Sequence, residues 1–372
     1  MKRTYYIFSS GKLARKQNTI FFMPYNDEQE EDDKSRKGNK NEEEISGAGE
    51  PKTEVLTAIG EKEDAFDSSQ KRVLPIEDID SFMVFSDINF NARFLQFLTK
   101  HNIPVHLFNY YGYYNGSYYP RDYLLSGNLL VQQVSHYQSI TKRLDIAQKL
   151  VSGAASNMMR NLKYYDGRSG NMQPWIRKIE SLEPGIREAD EIPDLMGVEG
   201  NIRQVYYNAF PGILGEKYDF EKRVKNPPDN AVNTLISFGN AMVYSACLTE
   251  IYRTQLSPLI SYLHEPGERR FSLALDLAEI FKPLLADRVI FSCLNQGRIK
   301  AGDFDKDLNF CYLQESGRKA FVKAFEEKMN TTIKHRQLKR KVSYRRLIRL
   351  ECYKLIKQIT GAEEYKPFKA WW

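Results

Sequence analysis

Ile103-Pro104-Val105-His106-Leu107-Phe108 is a short apolar run that reads as a buried strand, and the stretch after it, Tyr110 to Tyr119, carries six tyrosines around Asn115-Gly116. Asn-Gly tolerates positive φ at both central positions of a tight turn, so a β-hairpin is expected there. Beyond Asp122 the apolar residues change from strand spacing to helix spacing and keep it. Leu124 to Ser152 forms one long candidate helix, and Val198, Ile202, Val205 and Ala209 recur at i, i+4, i+7 and i+11, on one face of another. Pro227-Pro228-Asp229 supplies a breaker and an N-cap for a helix over Asn230 to Arg253. A further helix runs from about Phe271 to Lys282, with Leu273, Leu277 and Ile280 inward and Pro283 beyond its end.

On the N-terminal side the periodicity is that of strands. Arg3 to Ser10 and Asn18 to Tyr25 are β-branched and aromatic runs split by Ser9-Ser10-Gly11, which reads as a hairpin. Val73 to Phe85 has strand character, and Asn89 to Lys100 reads as a helix with Phe90, Phe94, Leu95, Phe97 and Leu98 on its apolar side. Between them, Asn26 to Gln70 turns to Glu, Asp, Lys, Gly and Ser, with 15 acidic residues against 6 basic ones. Such a segment cannot bury enough apolar surface to offset its ordering entropy, so a disordered insertion is expected. The reading is an α+β chain of two domains. A small N-terminal β domain covers residues 1–121, interrupted by the acidic insertion at 26–70, and a larger all-α domain covers 122–372.

The chain has 372 residues, 42% hydrophobic and 13% aromatic, which is enough for packed cores and argues against wholesale disorder. Its most apolar stretch, Val232 to Leu248, is broken by Asn233, Ser237, Asn240 and Ser245, so no membrane span is expected. Met1 to Tyr6 does not read as a secretory signal, and the cytoplasm is the expected compartment. Cys247, Cys293, Cys311 and Cys352 lie far apart with no CxxC pair, which favours buried thiols over a disulfide framework or a zinc knuckle.

The net charge is +6, and because the insertion carries −9 the rest of the chain carries +15. That balance points to a polyanionic partner. Lys334 to Lys357 holds ten Lys and Arg against Glu351 alone, with Leu338, Val342, Leu347, Leu350 and Ile356 between them. A helical region with one apolar and one cationic side is expected, gripping a phosphate backbone through Arg336, Lys339, Arg340, Lys341, Arg345, Arg346 and Arg349. The competing reading is a solvated face.

Three places in the helical half offer ligands for a hard metal. Glu199 sits between glycines in Gly197-Val198-Glu199-Gly200 at the start of a helix, where a ligand has room to approach; the alternative is an ordinary i, i+4 ion pair with Arg203. His264, in Tyr262-Leu263-His264-Glu265-Pro266-Gly267, is the one of five histidines within reach of an acidic helix, against the alternative of a packed or surface histidine. Asp276 and Glu279 share one flank of the helix from Phe271 to Lys282, against the alternative of a solvated edge. One imidazole with carboxylates suits Mg²⁺ or Mn²⁺ better than structural zinc. Such an ion supplies the charge stabilisation and the activated hydroxyl that attack on a phosphodiester requires.

With these residues in place, the sequence resembles the CRISPR-associated spacer-acquisition endonuclease/integrases, the Cas-one family, over nearly its whole length. In the N-terminal part the likeness is carried by Tyr6-Ile7-Phe8-Ser9-Ser10-Gly11-Lys12-Leu13, by Asn18-Thr19-Ile20 and by Ile103 to Gly112. In the C-terminal part it is carried by Gly197 to Gly200, by Pro227-Pro228-Asp229 with Asn233, Ser237 and Phe238, by Leu263-His264, and by Asp276-Leu277-Ala278-Glu279. The resemblance implies a β-sandwich N-terminal domain, an α-helical catalytic domain, a homodimer and a complex with the small Cas-two protein. It implies a Glu–His–acid metal site at Glu199, His264 and Glu279, with Asp276 as a neighbouring acid or alternative ligand. The implied substrates are double-stranded DNA fragments and CRISPR repeat DNA, a fragment's 3′ hydroxyl attacking a phosphodiester at the edge of a repeat. The insertion at 26–70 departs from the family pattern. A general metal-dependent defence or repair nuclease, and a noncatalytic DNA-binding scaffold, are the competing readings of the same residues.

Overall fold

A computed structural model describes residues 2–25, 72–121, 123–215, 218, 220–225, 227–267, 271–307 and 310–371. The acidic insertion expected at 26–70 lies outside the described residues. The chain divides into two units, residues 1–105 with 117–120, and residues 106–116 with 121–372.

The strands of the first unit are β1 (Arg3–Ile7), β2 (Gly11–Lys16), β3 (Thr19–Pro24), β4 (Arg72–Pro75), β5 (Ile79–Val84) and β6 (Ile88–Asn89), followed by helix α1 (Ala92–Lys100). β2 and β3 form a tight antiparallel hairpin that turns at Gln17, with Leu13, Ile20 and Phe22 buried. The expected N-terminal hairpin is therefore made one strand later. β2 is already flanked by β3 and β6 in the sheet β4-β3-β2-β6, so β1 pairs elsewhere, in parallel with β5. β5 is buried along its whole length. Asn91 caps α1, its Oδ1 accepting from Phe94 N at 3.0 Å, which starts the helix after Asn89.

β7 (Val105–Phe108) and β8 (Tyr114–Tyr118) complete a second four-stranded sheet, ordered β1-β5-β7-β8. The turn expected at Asn115-Gly116 is not there, because β8 runs straight through both residues. The chain reverses earlier. Asn109 Oδ1 accepts from Tyr111 N at 3.0 Å and Tyr113 N at 2.9 Å, and Gly112 takes a φ of 81°. The asparagine side chain stands in for a backbone acceptor and fixes the turn where it sits.

The second unit is mostly helical: α2 (Gly127–Gln138), α3 (Ile140–Ser169), α4 (Gln173–Leu182), α5 (Gly185–Glu188), α6 (Ile192–Asn208), α7 (Phe210–Leu214), α8 (Ala231–Tyr252), α9 (Ser272–Lys282), α10 (Arg288–Asn295), α11 (Glu315–Asn330) and α12 (Tyr344–Ile359). It is not all-α. β9 (Phe304–Asp307) pairs with β10 (Phe310–Leu313), and β11 (Thr332–Lys334) with β12 (Lys341–Ser343). The single helix expected over Leu124 to Ser152 is two, α2 and α3, because Ser139 takes an extended backbone.

α8 is the centre of this core, buried without interruption from Met242 to Tyr252. By length and composition it could cross a membrane, but 78% of its apolar window is buried inside the protein. Asn230 caps it, one residue later than expected, accepting from Asn233 N at 2.9 Å. α9 does not stop at Pro283. It passes through a π turn, Pro283–Asp287, into α10. A π turn and a proline disturb the carbonyl pairing of a helix, and α3 takes up the slack: Asn157 Nδ2 donates to Ile280 O at 2.9 Å and Asn161 Nδ2 to Pro283 O at 2.7 Å.

Candidate active site

Glu199 lies in the middle of α6, not at its start, since Pro193 already sits in the first turn of the helix. One turn on, Arg203 donates from Nε to Glu199 Oε1 at 2.7 Å, and from Nη2 both to Glu199 Oε1 and to Glu279 Oε2 on α9. The ion pair weighed against a functional Glu199 therefore exists, but it is not a surface pair. Arg203 is 17% exposed and Glu279 only 6%. Lys282 Nζ donates to the other Glu279 oxygen at 2.6 Å. Burial alone would raise the pKa of Glu279, but Arg203 and Lys282 outweigh it and hold the carboxyl well below the usual range.

The loop before α9 is wrapped around Asp276, which is wholly buried. Its Oδ2 accepts from Tyr262 N at 2.6 Å and Leu263 N at 3.0 Å, and its Oδ1 from His264 N at 3.0 Å and His264 Nδ1 at 2.8 Å. A carboxylate can only accept, so Nδ1 carries the proton and Nε2 is the nitrogen left for a ligand. Burial acts to lower the His264 pKa; the hydrogen bond and charge of Asp276 outweigh it and raise it. The solvated-edge alternative for Asp276 and Glu279 fails, because both are buried.

Glu199, His264 and Glu279 line one cavity of about 510 Å³, along with Arg203, Lys222, Arg223, Lys225, Lys282 and Asn240. Five cations against two carboxylates make this wall attractive to an anion. Asp276 is not part of the wall; its oxygens are spent inside the loop. Among the described residues, no three His, Cys, Asp or Glu side chains stand as a ready metal cage, and the two carboxylates have Arg203 and Lys282 as their counterions. The donor set still fits a hard divalent ion: two carboxylates and an imidazole face one space. Asp276 behind Nδ1 is the arrangement that fixes a ligating imidazole.

The basic run is not one helix. Lys334 to Ser343 belongs to the β11–β12 hairpin, where Lys339 has φ 52°, and only Tyr344 onward is helical. Arg336, Lys339, Arg340 and Lys341 are exposed on this hairpin, Arg336 lying over the Trp371 ring at 4.8 Å. Arg346 is half-buried in the first turn of α12. Arg345 pairs with Glu326 at 2.8 Å, and Arg349 with the buried Glu250 at 2.5 Å. Sequence reasoning missed Lys222, Arg223, Lys225 and Lys282 as cavity residues. It noted Asn233, Ser237 and Asn240 as breaks in an apolar run, and Asn233 and Ser237 as carriers of the family likeness; their spacing along one side of a buried helix was the signal of a polar stripe.

A strand-rich unit is followed by a helical one whose cationic cavity holds two carboxylates and an oriented imidazole, a wall suited to anions. Residues 54–327 match the family model of CRISPR associated protein Cas1. Over 372 residues the chain is 44% identical to the CRISPR-associated endonuclease Cas1 of Fusobacterium nucleatum, a match covering 100% of this chain and 98% of the relative. A solved Cas1 protein from Thermotoga maritima superimposes with a TM-score of 0.79 at 35% identity, covering 98% of this chain and 99% of the other. A casposase bound to its integration product shares the fold, with a TM-score of 0.78 at 19% identity over 99% of this chain and 93% of that one. The chain belongs to the Cas1 family of CRISPR-associated endonucleases.

Proposed function

We propose that this chain joins the 3′-hydroxyl ends of double-stranded DNA fragments into CRISPR repeat DNA by transesterification. Glu199, His264 and Glu279 hold a divalent ion, Mg²⁺ or Mn²⁺, and Asp276 orients His264. The observation that carries this reading is the convergence of three side chains, from α6, from the loop before α9 and from α9 itself, on one cationic cavity. When bound, the ion would stabilise charge at the phosphodiester and activate the attacking hydroxyl.

The chain's own residues do the remaining work. Asp276 keeps the proton on Nδ1 of His264 and so presents Nε2. Arg203 and Lys282 keep Glu279 ionised in a buried setting where it would otherwise take up a proton. Lys222, Arg223 and Lys225 draw phosphates into the cavity, and Arg336, Lys339, Arg340, Lys341 and Arg346 give flanking duplex a basic surface, with Arg345 and Arg349 behind them. We read the two four-stranded sheets as the family's β-sandwich, and the working unit as a homodimer with Cas2, one joining event at each of two catalytic subunits, in the cytoplasm.

The test is a DNA fragment with 3′-hydroxyl ends incubated with a repeat-bearing plasmid, in Mn²⁺ and in EDTA. Joined products are expected with the ion and absent in EDTA, in Glu199→Ala and in His264→Ala. DNA binding with no chemistry under any metal would leave only a scaffold.

A further inference from the structure

Arg223 differs from the other guanidinium in the cavity wall. Arg203 is spent on Glu199 and Glu279; among the described residues Arg223 is held by neutral groups alone. Its Nη1 donates to Val224 O, to Asn233 O at 3.1 Å and to Asn233 Oδ1 at 3.0 Å, and its Nη2 donates to Ser237 Oγ at 2.8 Å. The anchor is itself anchored. Asn233 Nδ2 donates to Lys222 O at 3.0 Å and to Asp229 Oδ1 at 2.7 Å, while its Oδ1 also accepts from Val224 N at 3.2 Å.

Asn233 and Ser237 sit one turn apart on α8, the largely buried helix that also carries the buried polar Thr234, Ser245, Thr249 and Glu250. Asn233, itself fixed by Lys222, Val224 and Asp229, and Ser237 on the same side of the helix together hold the Arg223 guanidinium at a fixed angle. A guanidinium keeps its charge, and burial pulls the Arg223 pKa down against the opposing charges of Asp287 and Asp229. Nε and a second Nη2 hydrogen make no hydrogen bond to the described residues, and a planar pair of N–H donors matches two oxygens of a phosphate. Lys225 lies in the same wall and adds charge.

We propose that Arg223, oriented by Asn233 and Ser237, is a prearranged binding group for a DNA phosphodiester inside the cavity, next to Glu199, His264 and Glu279. The proposal rests on the reading of that cavity as the active site. Arg223 is the substrate-contacting residue; Asn233 and Ser237 are positioning residues.

The experiment is the affinity of the full chain for a 3′-hydroxyl DNA fragment across a salt series, with thermal midpoints recorded for each variant. Arg223→Gln is expected to weaken binding by about 10-fold and to lower the slope of log affinity against log salt by about one. Arg223→Lys and Ser237→Ala keep the charge and lose the fork or its orientation, so binding should weaken by about 3-fold with the slope nearly kept. Wild-type affinity and slope in a folded Arg223→Gln would overturn the proposal. Should that variant fail to fold, wild-type affinity in both Arg223→Lys and Ser237→Ala would overturn it equally. DNA joining that survives Glu199→Ala would strike instead at the reading of the cavity, a result independent of the salt slope.

Discussion

Asp276 spends both oxygens on the loop that carries His264, taking three backbone N–H groups and Nδ1–H, so the imidazole cannot turn without breaking that set. Asp276 raises the pKa of His264 against the effect of burial, so the proton is held to a higher pH than in a free histidine. Ligand binding at Nε2 needs that nitrogen unprotonated, so joining should rise with pH through the raised value. In Asp276→Asn the acid limb of the pH–rate profile should move to lower pH, with the rate falling by about 10-fold or more; an unmoved limb would contradict the assignment. Asp287 offers a second residue-scale test. Its Oδ2 accepts from Tyr206 OH at 3.0 Å, its Oδ1 is buried with no hydrogen-bond partner among the described residues, and burial pushes its pKa from 3.8 up to about 7. The folded protein therefore holds this proton longer than the unfolded chain. Below pH 3.8 both states are protonated and nothing is lost; stability falls as pH rises from there to about 7 and stays at the lower level above it. Asp287→Asn should flatten that decline and stabilise the protein at pH 8 by a few kcal/mol, at most about 4, read from denaturant unfolding at pH 3, 6 and 8. Residue type was legible at this scale: Glu199, His264 and Glu279 stand out as possible ligands in the sequence. Burial was not, because a helix shows that Asp276 and Glu279 share a flank without showing what covers it.

Elements came through in the sequence where their cause is local and failed where it is not. The Asn-Gly pair at 115–116 has the stronger turn propensity, but Asn109 and Gly112 make the turn, and a Cβ at Gly112 would come within 2.6 Å of the Phe238 ring. Gly112→Ala meets both that ring and a left-handed backbone, and should cost about 1–3 kcal/mol in thermal or denaturant unfolding. The basic run from Lys334 to Lys357 showed its charge and hid its fold, since the alternation of cations and apolar residues suits a hairpin edge as well as a helix. Inside it Arg349 serves packing. It closes on Glu250, which is 1% exposed and also paired with Arg253. Arg349→Ala should destabilise by about 1–3 kcal/mol, since one partner remains to Glu250. Weaker DNA affinity at unchanged stability would show Arg349 touching DNA instead.

For the whole molecule, the change from strand to helix spacing near Asp122 was readable because it is a property of consecutive residues. That His106–Phe108 of β7 and Tyr114–Gly116 of β8 group with the helical unit was not, since pairing partners are far apart in the chain. Charge is divided in the same long-range way, into five cations in the cavity wall and a separate exposed group on the β11–β12 hairpin. Neutralising Arg336, Lys339, Arg340 and Lys341 to Gln should reduce the salt slope of DNA binding by about 0.9 for each phosphate no longer neutralised, while leaving the pH dependence of joining unchanged. Catalysis as proposed depends on one divalent ion shared by α6, the loop before α9 and α9. The most direct measurement is the anomalous signal of Mn²⁺ in a crystal of the full chain. A single strong peak bounded by Glu199, His264 Nε2 and Glu279 is the predicted result; a peak elsewhere, or no peak at saturating Mn²⁺, would contradict it.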